Sequence, residues 1–265
     1  MCGRYAATKN PAKLIEEFDA VDATEGQAPG PNHNVAPTKP VMTVVQRHPR
    51  DDDGEPDPEQ TVRSLRVMRW GLVPFWAKDP SSGSRMINVR AESAASKPAF
   101  RAALAKRRCL IPADGWYEWR RDPEGKQPFF MTGSDGAIVA FAGLWETWRD
   151  KNAEEDAPPL VTCSVITTDA VGQLTEIHNR MPLLMPQDAW ASWLDPDSSD
   201  VGHLLAPPPL ELVDRLELRP VSSAVNNVRN NGPELLERVT PSVDLAATEQ
   251  DTPTLFDAGA DPAKR

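Results

Sequence analysis

What most constrains the fold of this chain is the way its strand-type runs are joined. Residues 41–46, 62–70, 109–111, 115–120, 128–132, 137–145, 160–168 and 216–221 form short stretches rich in β-branched and aromatic residues, bounded by turn-forming positions. Most follow one another through turns rather than regular crossover helices, which disfavours a doubly wound sheet and favours antiparallel pairing. Helical patterning is confined to short stretches: 10–20, where Leu14, Ile15 and Phe18 share a face, 98–107, 169–176 with Asp169 as cap, 187–193 and 233–238. The expected fold class is α+β. A length of 265 residues with eight Trp, 27 Pro and 15 Gly favours one compact, loop-rich domain over two modules. That domain is expected over 2–240, with a disordered tail at 241–265 that has little to bury.

No apolar run approaches the roughly 18 residues of a membrane span, and the N-terminus lacks a signal-peptide layout, so a cytoplasmic protein is expected. Three cysteines without paired spacing indicate neither a disulfide framework nor a CxxC zinc site. Cys109 and Cys163 sit in apolar runs and read as inert core residues. His33, His48 and His203 show no metal-ligand spacing. A net charge of -10, if uniform, would exclude a nucleic-acid binder. It is not uniform: acidic stretches at 51–59, 150–156 and 195–200 read as solvated loops, while Arg63, Arg66, Arg69, Arg85, Arg90, Arg101, Arg107 and Arg108 make 61–108 basic.

Five segments carry candidate chemistry. In Met1-Cys2-Gly3-Arg4, loss of the methionine would leave a cysteine with amine and thiol on adjacent carbons. Their reference pKa values of about 8 and 8.5 leave a fraction of each free near neutral pH. A 1,2-aminothiol condenses with an aldehyde to an imine that the thiolate closes into a thiazolidine; the plain alternative is a cysteine that merely follows a start methionine. Arg69-Trp70-Gly71-Leu72-Val73-Pro74-Phe75-Trp76 reads either as a loop that stacks on a nucleobase or as a packed turn. Asn88, Arg90 and Glu92 would share one face if their segment is extended, facing a polar ligand or solvent. Gly115-Trp116-Tyr117-Glu118-Trp119 sets a carboxylate among three aromatic rings, whose desolvation would poise it for proton transfer, unless a buried Arg satisfies it. His178, near the end of the helix expected at 169–176, would be held protonated more easily there, as a catalyst or as a cap.

Taken in order, Met1-Cys2-Gly3-Arg4, Asn34-Val35-Ala36-Pro37-Thr38, Arg69-Trp70-Gly71-Leu72-Val73-Pro74, Ile87-Asn88-Val89-Arg90-Ala91-Glu92, Arg108-Cys109-Leu110-Ile111-Pro112, Gly115-Trp116-Tyr117-Glu118-Trp119, Ile177-His178-Asn179-Arg180-Met181-Pro182 and Val225-Asn226-Asn227-Val228-Arg229 resemble the SRAP family, the SOS-response-associated peptidases or abasic-site processing proteins. The resemblance implies a single α+β domain on a distorted antiparallel β-barrel-like core with peripheral helices, with no metal and no cofactor. It implies that Met1 is removed and that Cys2 crosslinks to the ring-opened aldehyde of an abasic site in single-stranded DNA. Asn88 would orient Cys2, Glu118 would move protons and His178 would assist opening of the sugar. Arg4, Asn34, Arg90 and Arg180 would lie near phosphates or the pocket wall, and Trp70 would stack on the DNA. A monomer without membrane attachment is expected. His33 and the acidic stretch at 51–59 depart from the family pattern. Two other functions stay open: an N-terminal-nucleophile peptidase or amidase using Cys2, and a non-covalent reader of modified or single-stranded DNA.

Overall fold

A computed structural model describes residues 2–51, 53–123, 125–154 and 156–240, without the side chain of Asp122. The expected tail at 241–265 and Met1 lie outside the described residues. The strands are Tyr5–Ala7 (β1), Val21–Asp22 (β2), Asn32–Val35 (β3), Pro40–Arg47 (β4), Val62–Trp70 (β5), Asn88–Arg90 (β6), Arg108–Ala113 (β7), Gly115–Asp122 (β8), Gly125–Gly133 (β9), Val139–Trp148 (β10), Leu160–Asp169 (β11), Arg180–Pro182 (β12) and Leu216–Pro220 (β13). The α-helices are Pro11–Phe18 (α1), Ala91–Ala94 (α2), Arg101–Lys106 (α3), Trp190–Leu194 (α4) and Leu210–Val213 (α5).

One sheet runs β13, β9, β8, β1, β3; the other runs β12, β11, β10, β7, β4, β5, β2, with β6 added to β11. Most pairs are antiparallel; β2 with β5 and β6 with β11 are parallel, and β11 also meets β5 in parallel register through Thr162↔Arg69 and Cys163↔Trp70. That pairing closes β5, β4, β7, β10 and β11 into a ring, the distorted barrel-like core that the family resemblance implies, closed by a parallel pair rather than an antiparallel one. Closure removes two edges that would otherwise expose unpaired backbone.

The ring strands are buried on both faces, which is why β4 reads Val-Met-Thr-Val-Val without polar alternation. On one face Val41, Val45, Met68, Trp70, Cys109, Ile111, Phe141, Trp145, Cys163 and Val165 pack with Cys2, Tyr5, Trp116, Phe129 and Met131 from the N-terminus and the five-stranded sheet. On the other, Met42, Val44, Leu65, Leu110, Ala142, Leu144 and Ile166 receive Leu14 and Phe18 of α1, Leu104 of α3, and Trp190 and Trp193 of α4. Tyr5 ties the two sheets together, its ring 5.2 Å from Trp70 and 5.8 Å from Phe141 in edge-on geometry. Cys109 and Cys163 are buried free thiols in this core, as the sequence suggests.

Several expected helices are shorter than their patterns. Residues 169–176 are not an α-helix capped by Asp169: Asp169 ends β11 opposite Arg180, and only a 3-10 turn, Gly172–Glu176, follows. The φ of +56° at Gly172 and the β-branched Val171 oppose helical continuation upstream. Residues 233–238 likewise form only the 3-10 turn Pro233–Leu236, and 98–107 contract to α3. Asn88, Arg90 and Glu92 do not share an extended face, because β6 stops at Arg90 and Glu92 sits in α2. Strands β1, β2, β3, β6 and β12 were not legible as strands; each has two to four residues, too few for alternation to register.

Arg108 fastens α3 and α4 to the ring. Its guanidinium is 4% exposed and donates to the carbonyls of Trp193 at 2.6 Å, Leu104, Ala105 and Ser198 at 2.8 Å, and Asp195. A buried charge distributed over so many acceptors is satisfied without a carboxylate. Arg108→Met strands those carbonyls and is expected to lower unfolding free energy by about 3 kcal/mol, measured by urea denaturation. A loss under about 1 kcal/mol would show that water satisfies them equally well.

Candidate active site

Cys2 is 1% exposed, inside the core shared by the two sheets. Backbone and side-chain hydrogen bonds hold this stretch. Arg4 O accepts from Tyr117 N at 3.0 Å, laying residues 2–4 beside β8, and Cys2 O accepts from Asn88 Nδ2 at 2.7 Å. Asn88 is placed by β11, whose Val165 pairs with it in parallel register. Its other side-chain atom, Oδ1, is buried with no hydrogen-bond partner among the described residues. Such an orphan acceptor is costly for structure alone and points to a donor still to come.

Glu118 lies on β8 and is 3% exposed. Burial pushes its carboxyl up to about 7, where protonated and ionised forms coexist near neutral pH. The expected cage of three aromatic rings is half right. Trp116 precedes Glu118 on the same strand face and Phe129 pairs across from it, whereas Tyr117 and Trp119 turn to the opposite face and pack with Ala6, Phe130 and Val221. Burial, and then the Glu118 charge, raise the Cys2 thiol well above its ordinary value. The thiol is therefore a protonated, neutral group at rest, held beside a carboxyl of near-neutral pKa.

His178 is half-buried and follows the 3-10 turn. Burial lowers its pKa, opposite to the expectation from a helix end, because no α-helix precedes it to supply a negative dipole end. It lines a cavity of about 400 Å³ together with Arg4, Glu118, Trp119, Arg121, Lys126 and Asn226. Arg121 and Lys126 face each other across the β8–β9 hairpin, and Trp119 Nε1 donates to Asn226 Oδ1 at 2.7 Å. The wall is cationic over an acidic floor. Trp119, Arg121, Lys126 and Asn226 were not picked out as site residues, although Arg120-Arg121 directly follows the aromatic motif and Asn226 lies in the Val225-Asn226-Asn227 motif. A second cleft, apolar and lined by Leu14, Val41, Met42, Pro112 and Ile138, measures about 30 Å³, room for about one water.

The residues expected on DNA separate into two groups. Arg4 lines the cavity, with Nη1 held by Asn34 Oδ1 at 2.8 Å and Val225 O at 2.9 Å, and Arg90 is exposed at the end of β6. Trp70, by contrast, is fully buried and donates Nε1 to Ile87 O at 2.9 Å, so it cannot stack on a nucleobase. Asn34 is 2% exposed, and its amide donates to the carbonyls of Val225, Asn227 and Asn230, holding the loop that bears Asn226. Arg180 is 9% exposed and paired with Glu92 and Asp169. Both act behind the wall. Exposed aromatic surface in the 69–76 motif falls instead on Phe75 and Trp76, 61% and 54% exposed. They ride on a loop stapled at its base: a Cβ at Gly71 would sit 2.6 Å from Gly83 O, and one at Gly83 2.4 Å from Gly71 O. Leu72 N donates to Met86 O at 3.1 Å, so the loop leaves and re-enters the core beside Asn88.

Among the described residues no group of three or more His, Cys, Asp or Glu could hold a metal ion, and no helix is long and apolar enough to cross a membrane. The fold and site define an α+β protein built on a closed strand ring, with a carboxyl of raised pKa and a histidine lining a cationic cavity and a buried cysteine in electrostatic contact with that carboxyl. This chain belongs to the SRAP family, SOS response associated peptidase, whose model matches residues 1–228. It is 37% identical over 238 residues to the abasic site processing protein YoqW of Bacillus subtilis (strain 168), covering 89% of this chain and 99% of that one. The abasic site processing protein HMCES of Xenopus tropicalis is 30% identical over 277 residues, covering 90% and 78%. A solved structure of a protein from Bacteroides thetaiotaomicron has the same fold, with a TM-score of 0.73 at 22% identity, covering 90% of this chain and 100% of that one.

The raised pKa of Glu118 has a measurable effect on stability. Between its ordinary 4.5 and about 7, the folded chain keeps a proton that the unfolded chain has released, so this group's contribution to stability falls as pH rises through that window. Glu118→Gln is expected to be more stable than wild type by up to about 3 kcal/mol above about pH 7, with the gap closing below about pH 4. Urea denaturation at both pH values checks this; a gap independent of pH would contradict the assignment.

Proposed function

We propose that this protein processes abasic sites in single-stranded DNA by forming a covalent thiazolidine crosslink through Cys2. The observation that carries the reading is the Asn88 Nδ2 bond to Cys2 O, which holds the buried cysteine within electrostatic reach of Glu118, itself a lining residue of the cationic cavity. The names of its relatives, abasic site processing proteins from Bacillus subtilis and Xenopus tropicalis, support the same reading. In this reading Met1 is removed, and the unit over 2–240 works as a monomer, without metal or organic cofactor.

The chemistry follows from the protonation states. A ring-opened abasic sugar presents an aldehyde at C1′. The Cys2 amine gives up a proton to the Glu118 carboxylate, attacks that carbon, and the carbinolamine loses water to give an imine. The thiol sulfur then adds to the imine carbon. The C=N electron pair moves to nitrogen, which takes back the proton that Glu118 received from the amine, and the carboxylate so freed accepts the proton from sulfur. One aldehyde and one aminothiol give one thiazolidine and one water. Asn88 Oδ1 is the acceptor suited to the nitrogen that reacts. Arg4, Arg121 and Lys126 receive the flanking phosphates, and Phe75 and Trp76 offer the stacking surface that Trp70 cannot.

A peptidase or amidase role for Cys2 is favoured by the family description alone. A thiol hydrolase depends on a thiolate at rest, which electropositive surroundings stabilise; here burial and Glu118 push the thiol the other way. In the crosslinking route the amine attacks first and the thiol need only lose its proton as the second bond forms. Lyase or hydrolase turnover following the crosslink would be a later step on the same adduct.

Incubation with single-stranded DNA bearing one abasic site is expected to yield a heat-stable shifted band, with an intact-mass increase matching DNA minus one water. Cys2→Ala or retention of Met1 should abolish it. A shift that dissolves on heating would indicate a non-covalent reader, and peptide release without a crosslink would indicate the amidase. Removing the hairpin cations, in Arg121→Ala with Lys126→Ala, should weaken DNA binding and flatten its dependence on salt by about 0.7 in log-log slope for each phosphate that is no longer neutralised. An unchanged slope would place the DNA backbone elsewhere.

A further inference from the structure

The environment of His178 specifies more than its position. Its Nδ1 lies 2.9 Å from the backbone nitrogen of Arg180 and 3.2 Å from the Arg180 carbonyl oxygen. These two contacts make opposite demands. An amide N–H can only donate, so the shorter contact requires a lone pair on Nδ1; a hydrogen there would point at the amide hydrogen. The ring hydrogen of the neutral side chain then resides on Nε2. His178 is a lining residue of the cavity, and its donor edge is the one turned away from the Arg180 amide.

The amide that imposes this is itself unusually well fixed. Arg180 begins β12 opposite Asp169, and its guanidinium is clamped from four directions: Nη1 to Glu92 Oε1 at 2.8 Å and to Asp169 Oδ1 at 2.6 Å, Nη2 to Glu92 Oε2 at 3.1 Å and to Thr167 O at 2.7 Å. A forked pair with Glu92 restricts rotation as well as distance. Glu92 lies in α2, two residues past the end of β6, so the same clamp links the strand that carries Asn88 to the turn that carries His178.

We propose that Arg180 is a positioning residue which, held by Glu92 and Asp169, uses its backbone N–H to fix His178 as the Nε2–H tautomer, so that the cavity receives a hydrogen-bond donor there and not an acceptor. A donor at that edge suits an oxygen of the ligand that gains electron density as its bond to carbon breaks, such as the ring oxygen of a sugar opening to its aldehyde. This deepens the proposed function and rests on it for that last step alone; the tautomer assignment stands on protein geometry. Burial lowers the His178 pKa, with the Arg121 and Arg180 charges adding to it against the pull of the Arg180 carbonyl, so the neutral ring is the form present near physiological pH.

The test is ¹⁵N NMR of the uniformly labelled, DNA-free protein at about pH 8, where a neutral imidazole is populated. His178 is assigned by comparison with His178→Gln among the four histidines. The expected spectrum has Nδ1 at the unprotonated position, with the ring proton coupled to Nε2. Arg180→Lys, which keeps the charge and loses the fork, should show both tautomers in exchange. It should also crosslink abasic DNA about tenfold more slowly at saturation with unchanged affinity, as expected when orientation is relaxed. Glu92→Gln, which keeps the guanidinium, should show the same mixture if Arg180→Lys does not fold. A wild-type spectrum dominated by Nδ1–H overturns the proposal, and a folded variant of either kind with the wild-type spectrum overturns the clamp. Because the tautomer is read without DNA, failure to crosslink with an intact Nε2–H signature counts against the proposed function and leaves this assignment standing.

Discussion

Strand β11 is the member on which both the fold and the site depend. On one edge it pairs with β10 and then β12; on the other it pairs with β5 and then β6. The parallel contact with β5 closes the ring. The next residues along the same strand carry Asn88 through Val165 and Arg180 through Asp169. Backbone registers of this kind are rigid to a fraction of an ångström because slipping by one residue would turn every buried side chain to the wrong face. Positions that lie 92 apart in sequence, Asn88 and Arg180, are therefore fixed relative to each other by a single five-residue span of β11.

The site built on that scaffold is dominated by desolvation. Cys2, Glu118 and His178 are each displaced by burial toward the uncharged form: the thiol and carboxyl up, the imidazole down. Charge is kept to the rim, where Arg4, Arg121 and Lys126 line the cavity. This division suits condensation chemistry on a polyanion. In the proposed reaction, neutral groups inside exchange protons at small cost, while cations at the mouth hold a phosphate backbone. Arg180 and Asn34 belong to neither zone. Both are spent on internal hydrogen bonds that keep His178 and the 225–230 loop in place.

Much of the fold was legible because the long ring strands carry strong signals. Residues 62–70 are β5 in full, and 160–168 miss β11 by one residue, since β-branched and other apolar residues recur through both and Gly71 and Pro159 mark their ends. Short pieces were not. Val21–Asp22 and Asn32–Val35 become strands only because a neighbouring strand offers them partners. The helix expected at 169–176 failed because β12 captures Asp169 and Gly172 adopts a left-handed φ, neither of which local patterning reveals. Trp70 misled for a related reason. An aromatic residue beside Gly and Pro looks the same whether it faces a ligand or fills a core, and its neighbours Phe75 and Trp76 face out only because Val73 and Ala77 face in.

Sequence by itself determined which chemical groups are available: an amine and thiol that a cysteine at position 2 can unite, one carboxyl in an aromatic strand, one histidine before a proline-stopped segment, and enough strand-type segments to force an α+β fold. These are properties of residue type and local order, and no partner is needed to express them. Tertiary structure alone decided which groups meet and in what protonation state. Ring closure through β11 brings Asn88 to Cys2 and Arg180 to Glu92, and burial shifts the carboxyl toward neutrality. Proximity and desolvation are set by distant parts of the chain packing together, so no window of sequence contains them.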